Sequence, residues 1–511
     1  MRRTVTLLVV VVAAAACGKK SDETKKQPDP GSATTPGSAG SGSGSAVAPR
    51  PPPPPMPDLV ADPGGATGDA MWVTGFGGLG TDTVRGVAAD TDGTTYVSGY
   101  FEGDITFGAL GTRSPAPGKD EKLVESDAFI AAIAADGKPA WVHTFGGGRA
   151  DTALAVAVGK DGIAVGGNFV DSMTIGGMSA KSTNSDDFYV VGFDRKGTPT
   201  WLLTGGGYDS DGVNAIAATA DGGWIIAGSF SDKAEITGTK VASLGKTDAF
   251  IAKLGATGDL VWVKTFGGPS DDTIYRVVVD AQGSIFTLGT FIYEASWGGE
   301  KFKAAGNSDT DIALAKYDPD GNHLWSKRFG NTFNDVAGGL AVDPAGNVTF
   351  TGSFDESITF GETEYLAKGA SDIVVARFTS GGDLIWARTW GADREDVGFG
   401  IAADGAGNLV VTGWFTNTID FGKGELKSSN LNKDVFVLKL DPKGATVWAK
   451  SFGDKDHDQP RGIAIDGEGN PVVAGIFRFA LALTPLPTIQ SIHKPEDKAP
   501  KADIFVARLK R

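Results

Sequence analysis

The sequence predicts an all-β chain: a single seven-bladed β-propeller of four-stranded blades, closed by an N-terminal strand that pairs into the last blade. A signal peptide and a disordered linker precede it. Three observations predict this. One set of landmarks recurs seven times at near-constant spacing. Each copy divides into four short strands. The last copy lacks its fourth strand, and the start of the repeat region carries a spare one.

The first segment is residues 1–16. Met1-Arg2-Arg3 is a short positive region, and Val5 to Ala16 is an unbroken run of Val, Leu, Ala and Thr. A membrane span needs about 20 apolar residues, so this run has the length of a secretory h-region instead. It ends Ala14-Ala15-Ala16-Cys17-Gly18, which resembles the lipobox of bacterial lipoproteins, with Ala14 where Leu is usual. The resemblance implies that Cys17 is lipidated and becomes the new amino terminus. Gly18 rather than Asp then implies residence at the outer membrane or cell surface. Ordinary cleavage, leaving a free thiol, is the alternative.

Residues 17–69 form the second segment. They hold 11 of the 25 prolines and runs such as Gly40-Ser41-Gly42-Ser43-Gly44. Without apolar periodicity no core can form, so a flexible tether is expected, stiffened at Pro51–Pro55.

The third segment, 70–511, carries the repeat. Trp72, Trp141, Trp201, Trp262, Trp325, Trp386 and Trp448 mark it at intervals of 60 to 69 residues. Ten residues after each lies an Asp: Asp82, Asp151, Asp211, Asp272, Asp335, Asp396 and Asp458. A Gly-x-Phe follows, from Gly99 to Gly475, and then a second Asp (Asp127, Asp187, Asp248, Asp311, Asp372, Asp434, Asp503). Four landmarks in register make a strong repeat signal. In the first copy the strands are expected at 83–89, 94–101, 127–134 and 139–144. The third strand is apolar on both faces, as in Phe129-Ile130-Ala131-Ala132-Ile133, and a strand buried on both sides lies between sheets. Six residues after the first Asp the side chains are small (Ala88, Ala157, Ala217, Val278, Ala341, Ala402, Ala464), as suits strands converging on an axis. The seventh copy ends at Arg511 without a Trp strand, and Met71-Trp72-Val73-Thr74 can complete it. Residues 70–76 are therefore expected to pair with 503–509.

The stretches Asp343-Pro344-Ala345-Gly346-Asn347-Val348, Thr351-Gly352-Ser353-Phe354 and Phe266-Gly267-Gly268 resemble the seven-bladed β-propeller repeat family of bacterial secreted and cell-surface proteins. The resemblance covers 70–511 and implies fold rather than activity. Asp-x-x-Gly-x-x-x-Trp (Asp194 to Trp201, Asp318 to Trp325, Asp441 to Trp448) is similar to the tryptophan docking motif of quinoprotein dehydrogenases. That motif turns between two strands and plugs Trp between blades. Those enzymes usually have eight blades, and no set of quinone ligands is recognisable here.

Composition narrows the function. A net charge of −15 argues against nucleic acid, which needs a basic surface, and one cysteine excludes a disulfide scaffold. Catalytic residues are not legible: His is scarce (His143, His323, His457, His493), and no nucleophile–His–acid pattern appears. The seven first Asp residues could ring a channel mouth and hold a cation. An Asp behind a Gly-Gly turn also accepts backbone N–H groups, and that structural role is expected. Asp454, Asp456 and Asp458, facing Glu496 and Asp497, are the one candidate calcium site, with zinc as an alternative through His457 and His493. No other cofactor is expected. Long connections at 99–127 and 475–503 should crowd one sector of one face. These features predict a lipid-anchored, non-enzymatic binding or scaffolding platform for an unknown protein or glycan. The alternative is a carboxylate-dependent lyase or glycan-acting hydrolase on the loop-rich face.

Overall fold

The computed structural model describes residues 67–114, 125–306, 308–493 and 501–511. All belong to one compact body, Leu59–Arg511, and each copy of the repeat forms one unit of it. Cys17 and nearly all of the tether lie outside the described residues.

Each copy of the repeat folds as a four-stranded antiparallel meander. In unit 1 the strands, from the innermost outwards, are Asp82–Ala89, Thr95–Glu102, Ser126–Ile133 and Pro139–Phe145, each within a residue or so of expectation. Unit 4 repeats it with Asp272–Val279, Ile285–Ile292, Thr310–Tyr317 and His323–Phe329, and unit 6 with Val397–Ala403, Leu409–Thr416, Lys433–Leu440 and Thr446–Phe452. Helical backbone among the described residues is limited to two single turns, Gly108–Leu110 and Ser429–Leu431. The chain is an all-β propeller.

The last unit is built from both ends of this region. Gln459–Ile465, Pro471–Phe477 and Asp503–Leu509 are joined by Ala70–Gly78, which runs antiparallel to Asp503–Leu509 from Ala70 opposite Leu509 to Phe76 opposite Ile504. Each inner strand packs beside that of the next unit, and Gln459–Ile465 packs beside Asp82–Ala89.

Apolar layers between neighbouring sheets hold the units together. Ser126–Ile133, Asp372–Phe378 and Asp503–Leu509 are buried at every position, because a third strand is covered by a sheet on each side. Between the last unit and the first, Val472, Ala474, Ile504 and Val506 pack with Val84, Val97, Phe129 and Ala131.

Tryptophan adds a second device. The indole Nε1 of Trp72, Trp325 and Trp386 donates to Ala135, Ser380 and Pro442 carbonyls of the following unit, at 2.9, 3.0 and 3.0 Å. The indole lies over the positive-φ glycine of that unit's turn between its third and fourth strands. At Gly258 (φ +87°) an added Cβ would stand 2.6 Å from Trp201. The last unit has no such turn, since its outer strand comes from the amino terminus. There Gly68 (φ +63°) takes the place, 2.8 Å from Trp448 by the same measure.

Candidate functional site

The first Asp of each unit ends the loop that enters the inner strand. Its carboxylate turns back to accept the N–H four residues earlier. The bonds run from Gly78 to Asp82 (2.6 Å), Gly147 to Asp151 (2.7 Å), Gly207 to Asp211 (2.7 Å) and Gly268 to Asp272 (2.7 Å). They continue from Asn331 to Asp335 (3.1 Å), Ala392 to Asp396 (2.9 Å) and Asp454 to Asp458 (2.8 Å). All seven side chains are buried. They are occupied in folding their own loops.

The second Asp enters the blade portion of the third strand at the same end of the sheet, and it too accepts N–H groups of the preceding segment: Thr183 to Asp187, Leu244 to Asp248, Ser429 to Asp434 and Ile492 to Asp503, at 3.0 to 3.1 Å. Propeller geometry brings the second Asp of one unit against the first Asp of the next. The point a Cβ on Gly146 would occupy is 2.6 Å from Asp151 Oδ2 and 2.7 Å from Asp127 Oδ1. Burial, chiefly, and then neighbouring carboxylates raise the first Asp of each unit far above the usual carboxylate range. Asp151 and Asp272 are pushed up to about 8 and Asp211 to about 7. Several of these carboxylates keep one buried oxygen without a hydrogen-bond donor, among them Asp272 Oδ1 and Asp248 Oδ1.

The acidic loop of the last unit is arranged otherwise than a calcium site requires. Asp458 is turned to its own loop, and Asp456 accepts from His457 N (2.7 Å) and lies 3.5 Å from Arg478. His457 Nδ1 faces Lys433 N at 3.4 Å. Among the described residues no three His, Cys, Asp or Glu side chains gather as metal ligands. Glu496 and Asp497 lie outside the described residues. The two long connections do approach each other at their described ends, where Lys501 stands 3.8 Å from Glu102.

One arrangement was not anticipated. Every inner strand carries a β-bulge three residues after its first Asp position. The pairing register skips Arg85, Leu154, Asn214, Tyr275, Gly338, Phe399 and Arg461. A bulged residue leaves the ladder and is re-aimed. Some of these side chains meet across units where the inner strands converge. The guanidinium of Arg461 lies over the Phe399 ring at 5.7 Å, and that of Arg276, next to the bulged Tyr275, lies over the same ring at 5.8 Å. Arg85 stands over Tyr100 at 5.7 Å. Burial first, then the charge of Arg85, pushes Arg276 and Arg461 down to about 10, so both stay cationic at neutral pH. The small-residue expectation for the inner strand therefore describes its sixth position and fails at its third. Reading that column of the repeat would have exposed the two bulged arginines.

No protein-family model matches the chain. It is 22% identical over 535 residues to the uncharacterized WD repeat-containing protein L264 of Acanthamoeba polyphaga mimivirus, covering 83% of this chain and 37% of that protein. It is 25% identical over 243 residues to the regulatory protein FlaEY of Caulobacter vibrioides, covering 46% of this chain and 25% of that one. The chain thus spans well under half the length of either relative. Among solved structures, the WD40 β-propeller domain of Doa1 is similar over 86% of this chain and 95% of its own, at 13% identity and a TM-score of 0.41. The β-propeller of that solved domain and the WD repeats of the viral relative agree with the fold described above.

Proposed function

We propose that this chain is a membrane-tethered, non-enzymatic binding platform. In this reading Cys17 carries lipid, residues 18–69 span the distance from an outer-membrane or cell-surface leaflet, and 70–511 form a seven-bladed ring closed by Ala70–Gly78. The ring presents one face to a protein or glycan partner. The repeat-family resemblance belongs to this proposal.

The observation that carries the platform is a face of exposed apolar side chains. In an antiparallel meander, the loops leaving the outer strand and those joining the second and third strands emerge at the same end. Leu79 (81% exposed), Tyr208 (67%), Phe333 (49%), Leu431 (52%) and Ile492 (51%) sit on such loops, and Leu244 (75%) on the strand Thr239–Leu254 where it extends beyond the blade in the connection from the second strand to the third. Exposed apolar groups gathered on one surface mark interaction sites. The carboxylates that recur in every unit, by contrast, are committed to loop hydrogen bonds. The test is crosslinking and partner capture from native membranes with the full chain and with a Tyr208→Asp/Leu244→Asp/Phe333→Asp variant. The variant should lose the partners that the parent captures. Recovery of the same partners by both proteins would remove this face from consideration.

A further inference from the structure

We propose that Arg276 and Arg461, which share the ring of Phe399, and Arg85, which lies over Tyr100 of its own unit, form a binding site where the inner strands converge for a small oxyanion: a carboxylate, sulfate or phosphate group. The site does not depend on the lipid anchor or on the apolar face.

Three observations carry it. The arginines come from units 1, 4 and 7, up to 376 positions apart (461 minus 85), yet Arg276 and Arg461 lie over a single phenyl ring, and Arg85 is near enough for its charge to act on both. Among the described residues, none of the three forms an ion pair with Asp or Glu. Elsewhere in the fold, buried arginines are paired: Arg377 with Asp343, and Arg508 with Asp466 and Glu468. Finally, the Nε of Arg85 and of Arg461 is buried with no acceptor. Arg276 gives one N–H to the Tyr275 carbonyl at 2.9 Å, which leaves the rest of its fork available.

Gathering like charges without a counter-ion opposes folding, and a buried donor without an acceptor adds to the cost. An oxyanion relieves both. Guanidinium forks match the oxygens of carboxylate, sulfate and phosphate, and they hold them more strongly than neutral donors do. Phe399 keeps two of the forks in place by cation–π contact, which limits the ordering needed on binding. The protein as a whole carries −15, so this positive locus is local, not a sample of a generally basic surface. It lies three residues along the inner strand, about 10 Å from the end that bears the exposed apolar loops, at 3.3 Å per residue.

The experiment uses the full chain, at constant ionic strength set with sodium chloride. Sodium sulfate, inorganic phosphate and sodium glucuronate are titrated separately, by calorimetry and by thermal unfolding. The first two test free inorganic anions, and the third tests a carboxylate borne on a sugar. At least one should give saturable heat and a saturable rise in Tm, and Arg276→Gln/Arg461→Gln should lose at least ten-fold in affinity. Sulfate also raises Tm by exclusion from any protein surface. An equal, non-saturating rise in parent and variant would therefore overturn the proposal. A second readout needs no variant. Phenylglyoxal labelling followed by mass spectrometry should show Arg85, Arg276 and Arg461 protected by the binding anion and not by chloride. Absence of saturable heat with all three anions, or equal labelling with and without them, overturns the site as well.

Discussion

Asp272→Asn tests whether the buried aspartates are held as neutral acids. Asp272 is buried, its Oδ2 accepts the Gly268 N–H at 2.7 Å, and its Oδ1 has no donor. Burial, with the charges of Asp248 and Asp271, lifts it from 3.8 to about 8 against the opposing Gly268 bond. In the unfolded chain the proton leaves near 3.8; in the folded chain it stays to about 8. Between those values the folded state holds one more proton, so stability falls as pH rises, by about 1.4 kcal/mol per unit. Over this window of about four units the ceiling is about 6 kcal/mol for the group taken alone. Asn keeps the acceptor for Gly268, replaces the orphaned oxygen with a donor beside Asp248, and carries no charge at any pH. Urea unfolding of parent and variant at pH 4.5, 6, 7.5 and 9 measures the difference. The two should be nearly equal at pH 4.5, and at pH 9 the variant should be the more stable by at least about 2 kcal/mol, of the ceiling worked above. Asp272→Ala, which strands the Gly268 N–H and likewise carries no charge, should be about 1–3 kcal/mol less stable than Asp272→Asn at every pH. A variant that tracks the parent in parallel across the range, or that is weaker at pH 9, refutes the neutral-acid reasoning.

Other expectations concern anchoring, the seam and the indole contacts. Cys17→Ala should abolish incorporation of labelled fatty acid and move the protein to the soluble fraction; a parent that takes up no label contradicts lipidation. Deleting 70–76 removes the strand that pairs with Ile504–Leu509 and exposes an edge, so stability should fall by several kcal/mol and aggregation should rise; an unchanged denaturation midpoint would show that this strand closes nothing. In Gly258→Ala, a Cβ at positive φ meets Trp201 at 2.6 Å. About 2–3 kcal/mol of stability should be lost, from left-handed backbone strain and a displaced indole, with a red shift in tryptophan emission. Unshifted emission and unchanged stability would show that the indole contact carries no weight.

Periodicity determined most of the architecture. The four strands of unit 1 follow from alternating apolar runs and turn residues, because a strand buried on both faces must read as continuous apolar sequence. The role of the first Asp set was also legible: a carboxylate four residues after a loop N–H can close that loop without help from elsewhere. The Trp72 strand could be placed in the last unit by counting, since a copy without its outer strand and a strand without a copy leave one solution. Local interactions decide all of these, and local interactions are written in spacing.

Only the tertiary structure decided what crosses from one unit to another. The pairing of each second Asp with the first Asp of the next unit depends on how adjacent sheets pack, and the pKa of each acid depends on that burial. Gly68 could not be read as a stand-in for a turn glycine, because its partner, Trp448, is 380 residues away (448 minus 68). The extended hairpins Ile163–Ile175/Met178–Phe193 and Trp224–Ile236/Thr239–Leu254 run on past the blade, a continuation of pairing that the spacing of the landmarks does not record. The bulges matter most for chemistry. A one-residue slip in register turns a side chain to the other face of the strand, and neither composition nor period records it. Arg85, Arg276 and Arg461 therefore read as three unrelated charges along the chain, and they become one cationic locus only when the inner strands are brought around a common axis.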